Sequence, residues 1–263
     1  MLLGWGVYLA DRRYRLRLRE NIALIGADSR LIRRAVSEAG KSVTELAAIW
    51  GRDEASVLAL VREVRGWDSV EALQARGIVF LTPHLGCFEI ASIYIAARRE
   101  MTVLYRKPKL AALIPLMEAG RARRGVELAP ADLSGVKMLL KALKMRRSVG
   151  ILPDQVPSSG DGVWLPFFDR PAYTMTLPAR LAIQTHSAVV MVAAERLALG
   201  RGYRLHFEPL DLPADVERAT ACINAAVETL AKRFPAQYLW SYNRFKTPQH
   251  AQRPDAAPAR TEA

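Results

Sequence analysis

A histidine that can move a proton near neutral pH, with a carboxylate close by to hold its ring, is the simplest acid–base device a chain can carry. Four histidines are present, and three are followed five residues later by Asp or Glu: His84 by Glu89, His206 by Asp211, His250 by Asp255. Spacing alone therefore selects none of them. His250 lies in the tail 249–263, rich in Pro, Ala and charge, which reads as disordered. His206 alternates with Arg204 and Glu208 against Tyr203, Leu205 and Phe207, which puts it on the polar face of a strand, and Pro209 interrupts the path to Asp211. His186 lacks an acid at that spacing and ends a helix, where a polar side chain is ordinary. His84 differs. It leaves the apolar run "GIVFLTPH", and "LGCFEI" then opens a helix. In α/β sheets, ligands collect where strands end at their carboxyl edge. Pro83 stiffens the exit, Gly86 lets the backbone approach a ligand, and Glu89 in the first helical turn is placed to turn back to one imidazole nitrogen. The other nitrogen would then act as a general base.

No nucleophile accompanies this pair. The chain has no Gly-x-Ser-x-Gly elbow, no Gly-rich phosphate loop and no metal-ligand cluster. Its two cysteines, Cys87 and Cys222, form no disulfide framework or zinc set. Cys87 reads as a small buried hydrophobe. A lone histidine base suits direct transfer, in which an activated hydroxyl attacks an acyl group.

The elements around His84 follow from hydrophobic period. Half of the 263 residues are hydrophobic, enough for a sizeable core. Residues 11–75 read as helices, with an apolar stripe through Leu31, Ile32, Ala35, Val36, Val43, Leu46, Ala47 and Trp50, and "EASVLALVREVRGW" continuing in the same style. From Gly77 the pattern alternates. "IVFLT", "TVLYR", "VELAP" and "SVGILPD" read as strands, separated by helices over "CFEIASIYIAARR", "LAALIPLMEAGRARR" and "ADLSGVKMLLKALKMRR". An extended "VWLPFF" and a helix over "TLPARLAIQTH" follow, then a strand pair, "SAVVMVAAERL" and "YRLHFEPL", and a last helix over "ADVERATACINAAVETLAKRF". This rhythm predicts an α/β fold: a mainly parallel mixed sheet flanked by helices, behind an N-terminal helical region.

The formal net charge is +12, and between Arg98 and Arg147 stand 13 Lys or Arg against four acids. Such a field suits phosphates, anionic lipids or an acidic protein, although any single run also suits a solvated face. No segment reaches the roughly 18 apolar residues of a membrane span. "MLLGWGVYLA" meets "DRRYRLRLR" at once, so residues 1–15 read as the end of a longer helix or as an interfacial anchor with basic flanks.

Several stretches together resemble one family: "TPHLGCFE", "LYRKP", "GRARRG", "DLSGVKMLLKALKMRRSVGILPDQVPSSGDGVWLPFFDRPAYTMTLPARLA" and "PAQYLWSYNRFKTP". They are similar to the lipid A biosynthesis acyltransferases, the late enzymes that add lauroyl or myristoyl chains to a lipid A precursor. The resemblance runs from about Leu16 to Pro248 and implies a single acyltransferase domain over 16–248 (helical 16–75, α/β 76–248) of the glycerolipid-acyltransferase type. It implies that His84 is the catalytic histidine and Glu89 its partner. It matches Arg106 to an arginine at the end of the next strand, Arg121 and Arg124 to a basic element, and Asp154 and Gln155 to an Asp element at another strand end. By their chemistry, the arginines suit phosphate or oxyanion contacts, or plain surface charge. Asp154 suits either orienting an acceptor hydroxyl or capping the turn that follows.

The resemblance further implies an acyl carrier protein thioester as donor, no cofactor or metal, a lipid A precursor as acceptor, and work at the cytoplasmic face of a bacterial inner membrane with its anionic surface. Two other readings stand beside it. One keeps the chemistry and changes the acceptor to another glycolipid or a lyso-phospholipid. The other is a non-catalytic basic protein that binds nucleic acid or anionic membranes. It lacks a nucleic-acid motif and leaves His84, Arg106 and Asp154 without a use.

Overall fold

The structure is a computed structural model that describes residues 1–106, 120, 125–158, 160–252 and 254. Its helices are α1 (Leu2–Ala10), α2 (Arg12–Ala23), α3 (Ser29–Trp50), α4 (Glu54–Leu58), α5 (Trp67–Glu71), α6 (Phe88–Ala96), α7 (Leu133–Lys144), α8 (Leu177–Thr185) and α9 (Val216–Arg233). Its strands are β1 (Val61–Arg65), β2 (Ile78–Leu81), β3 (Met101–Tyr105), β4 (Val126–Pro130), β5 (Ser148–Ile151), β6 (Gly162–Phe167), β7 (Arg170–Met175), β8 (Ala188–Arg196) and β9 (Tyr203–Pro209). Seven strands form one sheet in the order β1-β9-β8-β2-β5-β3-β4, and β6 and β7 form a separate hairpin. Among the described residues, only the β8–β9 pairing is antiparallel in the large sheet. The α/β class, the mainly parallel mixed sheet and the N-terminal helices are as the alternation from Gly77 predicts.

The central strands β2 and β5 are buried along their whole length, the expected state of a parallel sheet covered on both faces. Alternate residues feed two cores. Val79, Leu81, Val149 and Ile151 pack with Leu18, Val36, Leu139, Leu181 and Ile223, from α2, α3, α7, α8 and α9. Ile78 and Phe80 pack instead with Val57, Val70, Ile90 and Tyr94, from α4, α5 and α6.

At 54–66 the structure differs from the helical reading. The helical stripe does not continue through 54–66, because α4 ends at Leu58 and β1 follows, pairing in parallel with β9 at the sheet edge. Val61 and Val64 are β-branched and favour a pleated surface, and the edge register overrides the weak helical period. "RPAYTM" forms β7, which folds back on β6 through Phe168 and Asp169, both at positive φ. The helix expected over "LAALIPLMEAGRARR", apart from Gly120, and nearly all of the tail beyond residue 252 lie outside the described residues.

The helical region is tied to the sheet in two ways. Helix α1 lies against α3 through glycines: a Cβ on Gly4 would stand 2.1 Å from the Val36 carbonyl oxygen, and one on Gly40 would stand 2.5 Å from the Gly4 nitrogen. Farther along, Arg196 at the end of β8 reaches back to Glu38 and Glu45 of α3, and Tyr203 donates its hydroxyl proton to Glu45. The three charges are nearly buried, with side-chain exposures of 9 %, 16 % and 10 %. Arg196→Met leaves two carboxylates without their cation, a loss expected to destabilise the fold by about 3–5 kcal/mol. Urea unfolding of the variant would measure it, and an unchanged midpoint would show that the network is energetically neutral.

Candidate active site

The site is built by register. Strands β2 and β5 are parallel neighbours, and their last residues, Leu81 and Ile151, are partners. Each strand leaves the sheet in the same way, through Thr82-Pro83-His84 and Leu152-Pro153-Asp154. Two prolines stiffen the exits, and His84 and Asp154 arrive side by side, each three residues beyond paired ends. The His84 backbone N–H donates to Asp154 Oδ2 at 2.9 Å, and His84 Nδ1 lies 2.8 Å from Asp154 Oδ1. The buried Tyr238 hydroxyl faces the same carboxylate, whose charge helps to push the phenol's pKa up. The imidazole keeps 17 % exposure while the Asp154 side chain keeps 3 %, so one nitrogen is held in the protein and the other faces outward. That outer nitrogen, Nε2, lies 3.0 Å from the Gln155 side-chain amide nitrogen. With Nδ1–H donating to the carboxylate, Nε2 carries the lone pair and the Gln155 amide donates to it, one consistent tautomer for both contacts.

Burial pushes the Asp154 carboxyl up. The charge of the His84 ring and the hydrogen bonds from that ring and the His84 N–H outweigh it, so the carboxyl is held below the ordinary aspartate range. Asp154 is therefore an ionised acceptor at neutral pH. It fixes the ring and stands ready to stabilise an imidazolium, the role of the third group in a nucleophile–base–acid relay.

The carboxylate on the imidazole is thus Asp154's. The expected return of the Glu89 side chain to the ring does not occur, since both ring nitrogens are bonded elsewhere. Glu89 does sit in the first turn of α6 and is 4 % exposed. Its neighbour Phe88 takes the side toward His84, with ring centroids 5.3 Å apart. Glu89 instead lines a small cavity with Ser92, Val103 and Leu128. Gly86 also differs from expectation. It has φ +58, and a Cβ there would stand 1.9 Å from the Ala194 carbonyl oxygen, so its close approach is to β8 and not to a ligand. The bridge between Gly86 and Ala194 and that between Leu85 and Tyr238 clamp the loop that carries His84.

Arg106 leaves β3 at the same edge of the sheet and is exposed. It lines two adjoining clefts. One, of ≈250 Å³, holds His84, Gln155, Phe88 and Val156. The other, of ≈610 Å³, runs between α7 and α8 over Val136, Leu140, Leu177 and Leu181, with Arg180 also on its wall. Arg121 and Arg124 lie outside the described residues. Cys87 is 2 % exposed, and burial, reinforced by the charge of Glu45, drives its thiol far above the ordinary range, so it is no nucleophile at neutral pH. His206 is more buried than a polar strand face suggests. It is 7 % exposed, with Nε2 3.1 Å from Glu195 and its ring against Phe234, so the nearby acid is a cross-strand neighbour and not Asp211.

The segment 236–245 contributes more than its sequence announces. Leu239 N–H donates to the His84 carbonyl at 3.0 Å, the Tyr242 hydroxyl accepts from Val156 N–H, and Asn21 of α2 donates to the carbonyls of Trp240 and Tyr242. Arg244 is buried in the same region. The signal available was the density of aromatic residues in "QYLWSYNRF", which marks a packed segment but does not say against what.

The profile of a family described as bacterial lipid A biosynthesis acyltransferase matches residues 2–247. The chain is 28% identical over 204 residues to the lipid A biosynthesis lauroyltransferase of Escherichia coli, covering 75% of this chain and 64% of that protein. It is 28% identical over 195 residues to the lipid A biosynthesis palmitoleoyltransferase of the same organism, covering 70% and 63%. A lipid A biosynthesis acyltransferase of Haemophilus influenzae is 26% identical over 196 residues, covering 70% and 62%. The chain spans less than two thirds of the length of each of these relatives.

Proposed function

Since the chain belongs to the bacterial lipid A biosynthesis acyltransferase family, we propose that it transfers a fatty acyl chain from an acyl carrier protein thioester to a hydroxyl of a lipid A precursor. The observation that carries this reading is the outward-facing His84 Nε2, with Asp154 fixed behind Nδ1, at the mouth of a partly apolar cleft. The acceptor hydroxyl takes the place of the Gln155 amide at Nε2 and gives up its proton there. Its oxygen bonds to the thioester carbonyl carbon while Asp154 stabilises the imidazolium. The tetrahedral intermediate then collapses. The C–S bond breaks, and the thiolate recovers the proton from His84. Arg106 is placed to meet either the developing oxyanion or a substrate phosphate, and Arg121 and Arg124 would add phosphate contacts. The larger cleft, with its floor of Leu140, Leu177 and Leu181, suits an aliphatic chain.

The partners follow from surface chemistry. Acyl carrier protein is acidic, and this chain has a net charge of +12. Leu2, Val7 and Leu9 of α1 are exposed beside Arg12 and Arg13, a combination suited to an anionic membrane surface. Among the described residues no helix is long and apolar enough to cross a membrane. We place the reaction at the cytoplasmic face of the inner membrane, where both substrates would be within reach.

Two carboxylates compete for the role of partner to His84, and a paired substitution separates them. Glu89→Gln is expected to lower kcat by less than about tenfold, while Asp154→Asn lowers it by orders of magnitude, because of these two carboxylates it is Asp154 that bonds to the imidazole. Steady-state rates of both variants at one pH decide it, and a larger loss in Glu89→Gln would return the role to Glu89.

A further inference from the structure

Arg244 is a buried cation that the reaction as written does not use. It is 3 % exposed. Its guanidinium donates to the Tyr173 carbonyl at 2.8 Å, to Thr174 Oγ1 at 2.8 Å and to Asn224 Oδ1 at 3.2 Å, and it lies 5.0 Å from the centre of the Phe167 ring. Each of those acceptors is neutral, and its Nε has no protein partner. Among the described residues no carboxylate stands within salt-bridge distance of it. A buried cation left in this state is costly unless a negative charge balances it nearby.

That charge is Asp154. Arg244 lines the same small cavity as His84, Asp154, Tyr238 and Tyr242. The groups that act on it electrostatically are Tyr238, Asp154 and Tyr242, and the carboxylate among them is Asp154. Seen from Asp154, the charged or titratable groups facing it are His84 from the loop after β2, and Tyr238, Tyr242 and Arg244 from the segment 236–245. The pocket therefore holds one fixed positive charge, one carboxylate and one ring that must gain a proton during each turnover.

We propose that Arg244 is a positioning residue for the reaction, the buried counter-cation that keeps the His84–Asp154 pair free of its extra proton and so ready to act as a base. The guanidinium touches no substrate and acts through the pair. Its hydrogen bonds to β7 and α9 hold it in place, which makes the β6–β7 hairpin a support for the charge and not only for the fold. The sign is set by charge count. With Arg244 present, a neutral ring and an ionised Asp154 leave the pocket without net charge. Without it, the same state carries one buried negative charge, and the pair takes up a proton more readily. The two groups titrate together, so the effect belongs to the pair.

The proposal rests on the general-base reading above, and its test includes a readout independent of turnover. Arg244→Gln keeps donors for Tyr173 and Thr174 and removes the charge. In acyl transfer from a dodecanoyl acyl carrier protein thioester to lipid A precursor, it is expected to lose about tenfold in kcat at pH 6 and far less at pH 9, with KM nearly unchanged. Arg244→Lys keeps the charge and loses most of the hydrogen bonds, so its acid limb returns to the wild-type position. Asn224→Ala removes a hydrogen-bond partner and leaves the charge, so it is expected to lower thermal stability without moving the limb. In parallel, ¹⁵N NMR titration of the His84 ring, assigned with His84→Ala, should show the ring of Arg244→Gln taking up its proton at higher pH than the wild type. A limb and a ring titration that stay at their wild-type positions in Arg244→Gln would reduce Arg244 to a structural residue. A wild type without acyl transfer, but with the NMR difference intact, would overturn the functional reading and leave the electrostatic one standing.

Discussion

His84→Ala is expected to lower turnover by about 10²–10⁴-fold, the usual share of a general base, with the fold intact. The ring is held by hydrogen bonds from the loop after β5 and by an edge contact with Phe88, and its removal leaves the clamps at Leu85 and Gly86 in place. The loss should appear in kcat, because the hydroxyl still enters the cleft but no longer finds an acceptor for its proton. Steady-state kinetics with a fixed thioester donor check this, alongside circular dichroism to confirm folding. Turnover within a few-fold of wild type would remove His84 from the chemistry.

Asp154→Asn is the second large effect, expected near 10³–10⁴-fold in kcat. The amide is nearly isosteric, but it has only one acceptor oxygen for the His84 N–H and the His84 ring, which bond to the two carboxylate oxygens. Its NH₂ either faces Nδ1 and reverses the tautomer or leaves a buried donor unmatched. The neutral amide also no longer stabilises the imidazolium. Stability should respond too. Asp154 is held below the ordinary value of 3.8 in the fold, so its contribution is fully present above that value and is lost as pH falls through the lower folded value. Asp154→Asn removes the contribution at all pH, and its unfolding midpoint should differ from wild type most at neutral pH and least in strong acid.

How much of this could be read from residues alone depends on how local each feature is. The strand-end position of His84 was legible, because an apolar run, a proline and a helix start lie within fourteen consecutive residues. So was the sheet, since alternating helices and strands leave few topologies open. The partner of His84 was not legible as a contact. Glu89 is close in sequence and Asp154 is 70 residues away, and only the register of β2 against β5 brings the second one near. The matching exits Thr-Pro-His and Leu-Pro-Asp were a usable signal: two neighbouring parallel strands that leave a sheet alike deliver their third residues to one place. The decoy His206 failed for the reverse reason. Period placed it on a polar face, and only β8 and Phe234, just beyond α9, reveal that this face is covered. Arg244 was hidden because an arginine in sequence reads as surface charge, and its burial depends on a hairpin and a helix that contact it from elsewhere in the chain. Edge strand β1 was missed because a short Val-Arg-Glu-Val-Arg segment has no decisive period, and β9 supplies the pairing.

The motifs that resemble those of lipid A acyltransferases are scattered along the chain, and the family profile reaches all of them over residues 2–247. What the pairing of β2 with β5 adds is a physical place for one of those motifs: the Asp element supplies the carboxylate behind the His84 imidazole.

The central claim is direct transfer of an acyl chain to a lipid hydroxyl by an imidazole base. Mass spectrometry of both lipid and protein, after incubating the purified chain with an acyl carrier protein thioester and lipid A precursor, tests it most directly. The expected result is a lipid A precursor heavier by one acyl chain, a dependence on His84 and Asp154, and a protein of unchanged mass throughout. A precursor of unchanged mass with the folded wild-type chain, or an acyl group found on the protein itself, would contradict it.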